Sequence, residues 1–188
     1  MGSLTHSPTR SVLLATIVVF AALIAVGTIL SIPLPPPLYE ITWAPAVYMA
    51  LSAMVDPVTS ASAIGIGSFI GEAFNVTFKG GGSPIYPFGM LWARAPEAFI
   101  IGWARRKSQR ALILAMVGAT CFETLAFFFP DWLFYTYGLF QYGSPTSAVS
   151  ALVTASADLG TLADLVYIPV SLVLIRAGRP AFKRLGFA

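Results

Sequence analysis

Residues 11–32 carry no charged side chain. As a helix rising about 1.5 Å per residue, that run is long enough to cross about 30 Å of hydrocarbon. Further apolar runs follow it along the chain, and this succession constrains the fold more than any motif does. Hydrophobic residues make up 57% of the sequence and charged residues 10%, where a soluble domain carries about a quarter charged residues. Mean hydropathy is +0.79. These figures exclude a soluble enzyme, a disordered tail and a nucleic-acid-binding module. The basic residues behind the pI of 9.2 sit in short blocks between apolar runs, where they act as topology signals. The first run is longer than a signal-peptide core and ends in a proline-rich stretch without a small-x-small cleavage pattern, so it reads as a retained transmembrane helix.

The expected architecture is an all-α integral membrane protein: one transmembrane domain over residues 1–188, built as a six-helix bundle. The spans are predicted at residues 11–32, 42–55, 58–78, 88–104, 110–129 and 147–175. Punctuation separates them. Pro35, Pro36 and Pro37 stop the first; Asp56-Pro57 ends the second; Gly80-Gly81-Gly82 follows the third; Pro130 ends the fifth, and Pro169 interrupts the sixth. The basic blocks lie at Arg10, at Arg105, Arg106, Lys107 and Arg110, and at Arg176, Arg179, Lys183 and Arg184. Six crossings put every block, and both termini, on the cytoplasmic side. A re-entrant 42–55 segment would put the Arg105 block outside. Lys79 is then the one base in an outer loop. Residues 34–41, 79–87 and 130–146 form the outer loops, carrying Tyr39, Tyr86, Trp132, Tyr135, Tyr137 and Tyr142. These aromatics read either as an interfacial belt or as a mouth that stacks on a flat ligand.

Ionisable residues inside spans are costly and face the bundle interior, which makes each a candidate site. The candidates are Glu72 and Asn75 in the third span, Arg94 and Glu97 in the fourth, Glu123 in the fifth and Asp158 in the sixth, with Trp43 and Tyr86 contributing aromatic surface. Asp164 reads as deeper, structural or part of gating. A packing network could absorb Arg94 with Glu97 or Glu72, but one arginine cannot neutralise all of these carboxylates. A polar cavity opening outward accounts for them, and its acidic excess suits a cationic or amine-bearing ligand. No nucleophile–base pair, metal-ligand set or nucleotide motif is present, and no cofactor is expected. His6 and Cys121 are lone residues. Asn75-Val76-Thr77 matches the glycosylation triplet by chance, and the Gly80–Gly82 run reads as a hinge for an outer lid. Ala21 and Ala25 form a small-xxx-small face in the first helix, and the third offers Ala61, Gly65 and Ser68, with Gly67 and Gly71 beside them. Such faces permit close helix approach, within the chain or to a partner.

Taken together, the size, the six spans, the Ala21-x-x-x-Ala25 face, the proline-rich loop into Trp43-Ala44-Pro45, and the Gly65-x-Gly67-x-x-x-Gly71 run resemble the substrate-binding S components of energy-coupling-factor vitamin transporters. That resemblance implies high-affinity capture of a vitamin or related micronutrient; the aromatic outer loops and acidic pocket suit a thiamine-like molecule best, with pyridoxine-like, queuosine-like and corrinoid ligands also open. It implies no enzymatic activity in this chain, a multi-pass place in a prokaryotic plasma membrane, and partners in a membrane coupling subunit and two cytoplasmic ATPase subunits. Ala21 and Ala25 would then face the coupling subunit. Two other classes remain open on the residues alone: a self-sufficient proton- or cation-coupled carrier, and a structural or assembly subunit of a larger membrane complex.

Overall fold

The computed structural model describes residues 7–33, 40–79, 83–140 and 142–187. The proline run, Tyr39, the glycine hinge and His6 lie outside these. The order of elements is α1 (Arg10–Ile29), a two-residue antiparallel pair of β1 (Ile32–Pro33) and β2 (Glu40–Ile41), α2 (Ala44–Ser52), α3 (Pro57–Phe74), α4 (Tyr86–Ala104), α5 (Gln109–Tyr137), α6 (Ala148–Ala155) and α7 (Ile168–Arg184). A π-helical turn over Asn75–Lys79 extends α3, and a 3-10 helix over Ser156–Tyr167 joins α6 to α7.

Local chemistry sets the ends. Thr9, Asp56, Ser108 and Ser147 each accept from the backbone N–H three residues on, which satisfies a donor that the helix itself cannot. Gly138, at φ 64°, closes α5 in the left-handed conformation that glycine adopts without strain.

Three stretches are long and apolar enough to cross a membrane, Arg10–Ile29, Gln109–Tyr137 and Ala148–Arg184. Every helix except α2 also leaves large apolar side chains uncovered, among them Val18, Ile70, Phe99, Leu125, Val153 and Val173, a surface suited to lipid rather than water.

Several boundaries differ from the sequence expectation. The second helix spans Ala44–Ser52 rather than 42–55. At about 14 Å it is too short to cross alone, and it is buried along its length against α1, α3, α4, α7 and the 3-10 segment. The fifth helix does not stop at Pro130 but continues to Tyr137. A proline removes the N–H that would bond the carbonyl four residues back; here that carbonyl is Ala126, and the Trp92 indole of α4 donates to it at 3.0 Å. The sixth span is divided by the 3-10 stretch and runs on as α7 to Arg184, past the predicted end at residue 175.

Neighbours in the bundle run α1–α3–α4–α5, with α6 and the 3-10 helix against α5, and α7 against α2. The α1–α3 seam is close because glycines line it. A Cβ on Gly67 would stand 2.5 Å from the Ala21 carbonyl oxygen, and one on Gly71 would stand 2.9 Å from that of Ala25. Ala21 and Ala25 are therefore buried inside the chain, and their face is occupied by α3.

Candidate functional site

The polar residues of the interior form two tiers, about 12 Å apart along α4, the distance from Tyr86 to Arg94 at the helical rise. The deeper tier sits where α2, α4, α5 and the 3-10 helix meet. Arg94 Nε donates to Glu123 Oε1 at 2.8 Å. Thr120 Oγ1 donates to Glu97 Oε1 at 3.2 Å. The Tyr48 hydroxyl lies 3.5 Å from Glu123 Oε2 and 3.3 Å from Asp164 Oδ2, and its ring faces the Arg94 guanidinium at 5.6 Å. Thr124 and Thr161 share a hydrogen bond of 2.6 Å that ties α5 to the 3-10 helix. Glu97, Glu123 and Tyr48 are fully buried.

One guanidinium thus stands among three carboxyl groups, Glu97, Glu123 and Asp164. Arg94 Nη1 is buried without a hydrogen-bond partner, and the Glu97 carboxyl lies within hydrogen-bond reach of the Glu123 carboxyl. Buried polar groups in folded proteins are nearly always paired, so the Arg94 donor is available to a polar guest.

The shallower tier lies toward the start of α4 and the end of α5. Tyr86 stacks on Phe127, with ring centroids 5.5 Å apart and planes at 17°. Asp158, Asp131 and Glu72 lie within electrostatic reach of the Tyr86 hydroxyl. Tyr142 donates to Asp131 Oδ1 at 2.7 Å, and Asp158 Oδ2 is buried without a partner. Tyr142 lies in the connection after α5, and its phenol is pushed well above its ordinary pKa, first by burial and then by the Asp131 charge.

Of the expected site residues, Arg94, Glu97 and Glu123 come together in the deeper tier, while Tyr86 and Asp158 belong to the shallower one. Glu72 and Asn75 lie on α3, where Asn75 Nδ2 donates to the Thr28 carbonyl at 3.2 Å and lies 3.5 Å from Glu72 Oε2. That burial leaves Asn75 unsuited to glycosylation. Trp43 is partly exposed at the start of α2, its ring over Gly27 of α1. Arg94 takes Glu123 as its partner rather than Glu97 or Glu72. Tyr48, Thr120 and Thr124 were not singled out from the sequence. Tyr48 had a visible signal, being a lone phenol in the middle of an apolar run. Asp164, expected to be deeper and structural or part of gating, lies in the cluster, 3.3 Å from the Tyr48 hydroxyl.

No protein-family model, curated protein or solved structure matches this chain. Among the described residues no group of three or more histidine, cysteine, aspartate or glutamate side chains is arranged to hold a metal ion.

Proposed function

We propose that this chain is a membrane-embedded capture subunit, of the energy-coupling-factor type that the sequence resembles. It binds a small amine-bearing or cationic heteroaromatic micronutrient and relies on a coupling subunit and ATPases for uptake. One observation carries the reading: a buried Arg94–Glu123 pair, with Arg94 Nη1 unpartnered, stands beside the buried Glu97 carboxyl. Ionisable groups held inside an apolar bundle mark ligand or ion pathways. The excess of carboxyl groups favours a cationic guest, and the Tyr86–Phe127 stack gives a flat ring a surface to lie on.

The test is a thermal-shift screen of the purified protein against vitamins and cofactors, followed by Glu97→Gln. A ligand held at several hundred times its Kd stabilises the protein by about 3–4 kcal/mol. The expected result is one cationic heterocycle that stabilises the wild type and loses affinity in Glu97→Gln, whose fold is retained. A folded protein indifferent to the whole panel, or a hit unaffected by Glu97→Gln, overturns this placement of the site.

A second reading draws on the 3-10 segment. It carries Asp158 in the shallower tier and Asp164 in the deeper one, and a 3-10 stretch inside a long helix often marks a hinge. A self-sufficient cation-coupled carrier would use such a column. Reconstitution in liposomes without ATPase subunits separates the two, since only the carrier moves its solute there.

A further inference from the structure

The end of the bundle far from the aromatic tier carries a cavity. It is an open pocket of about 960 Å³ between the start of α1, the α2–α3 turn, the α4–α5 connection and the end of α7, a size typical of small-molecule sites. Arg105, Arg106, Lys107, Arg179 and Lys183 line it, against one carboxylate among the described residues, Asp56. That carboxylate caps α3, accepting from the Thr59 N–H at 2.9 Å, and also acts on Arg105, so the five bases outnumber it.

The positive-inside pattern explains why bases gather at this end but not why they wall a cavity. Arg179 Nη2 reaches across to the Arg105 carbonyl at 3.5 Å, which joins α7 to the α4–α5 connection. Arg105 Nη1 is buried with no hydrogen-bond partner. The far wall is fixed by aromatic packing. Phe182 lies between Phe20 and Phe187, with centroids 5.9 and 5.8 Å away, and Gly186, at φ 92°, turns the chain so that Phe187 folds back into the protein. Arg179 and Lys183 stand one helical turn apart on the held end of α7, on the same face. Apolar side chains, Leu13, Met54 and Val58, complete the lining.

We infer that this cavity is a binding site for a phosphate-bearing anion, either the headgroup of an anionic phospholipid or a free phosphate. Guanidinium groups donate in forks that match phosphate oxygens, and basic pockets between membrane helices hold anionic lipid headgroups. The site is independent of whatever the two interior tiers bind.

The test uses the full chain in neutral detergent. The probes are dioleoylphosphatidylglycerol in mixed micelles, dioleoylphosphatidylcholine as the uncharged control, and inorganic phosphate. The anionic lipid is expected to raise the Tm where the zwitterionic lipid does not. Arg179→Gln with Lys183→Gln should weaken that binding about tenfold or more. Arg176→Gln with Arg184→Gln, an equal loss of charge outside the cavity lining, should change it less than twofold. Displacement of the lipid by millimolar phosphate identifies free phosphate as a ligand of the same cavity, and its failure identifies the lipid headgroup; both uphold a phosphate site. Equal losses in the two double variants would reveal diffuse attraction and overturn the inference, as would identical responses to both lipids with none to phosphate. If the Arg179/Lys183 variant does not fold, competition on the wild type decides. Chloride at matched ionic strength displacing the probe as well as phosphate does overturns the site.

Discussion

Arg94 and Glu123 meet at 2.8 Å with side chains 8% and 0% exposed, joining α4 to α5 in the middle of the bundle. Removing one member of a buried pair leaves the other charge without compensation and costs about 3–5 kcal/mol, whereas replacing both with apolar groups costs little. Glu97 and Asp164 also act on the guanidinium, which places Glu123→Gln near the lower end, at about 3 kcal/mol. Arg94→Met combined with Glu123→Leu should recover most of that loss while abolishing ligand capture. Unfolding in detergent is the measurement. A Glu123→Gln variant as stable as the double variant would show that the pair does not hold the two helices together.

Trp92 and Pro130 form a second testable pair. The indole donates to Ala126 O at 3.0 Å, and Ala126 is the residue whose helical donor Pro130 lacks. Trp92→Phe keeps the ring and removes the donor, for an expected loss of about 1–2 kcal/mol. In a Pro130→Ala background the helix supplies its own N–H, and the same substitution should cost about 0.5 kcal/mol or less. Equal losses in both backgrounds would mean that the indole does not stand in for the missing donor.

That pair also shows where the sequence stopped being legible. The apolar run of α1 announces a helix by itself, and Asp56-Pro57 announces the boundary between α2 and α3. Pro130 reads as a stop because the group that lets α5 pass through it comes from another helix, 38 residues earlier in the chain. The site divides along the same line. Arg94, Glu97 and Glu123 are legible as interior because lipid tolerates no such groups. Which carboxylate Arg94 takes depends on how α4 and α5 are rotated, and no local pattern encodes that. Tyr48 lies in a run too short and too buried to behave as an ordinary span.

Tyr142 gives an expectation in alkali. Burial, then the Asp131 charge, holds its phenol protonated above the ordinary pKa of about 10, and Tyr135 and Asp158 add to the effect. A folded-state pKa raised above the unfolded value contributes stability that is present below the unfolded pKa. It is lost as pH rises from there toward the folded pKa. Stability of the wild type should therefore fall above about pH 10, and Tyr142→Phe should remove part of that fall. Tyr142→Phe should also cost about 1–3 kcal/mol at neutral pH by leaving Asp131 without its donor. Parallel pH profiles for the two proteins would place Tyr142 in water rather than against Asp131.

The α1–α3 seam bears on how a partner could engage this chain. Ala21 packs so closely on Gly67 that a single added carbon would stand 2.5 Å from its carbonyl oxygen. Gly67→Ala should therefore cost about 1–3 kcal/mol, and Ala21→Trp at least as much, because neither backbone can retreat without parting the helices. Gly118 on α5 is the control, with nothing within 4 Å of an added Cβ; Gly118→Ala should be neutral or stabilising by about 0.5–1 kcal/mol. Docking of a coupling subunit on α1 would have to use the face that carries Val18, which is 66% exposed. Val18→Trp should then leave stability within about 0.5 kcal/mol and ligand affinity unchanged while uptake falls. Ala21→Trp should instead lose fold, binding and uptake together. If Ala21→Trp were as stable as the wild type and lost uptake alone, the face now covered by α3 would be the one that the partner uses.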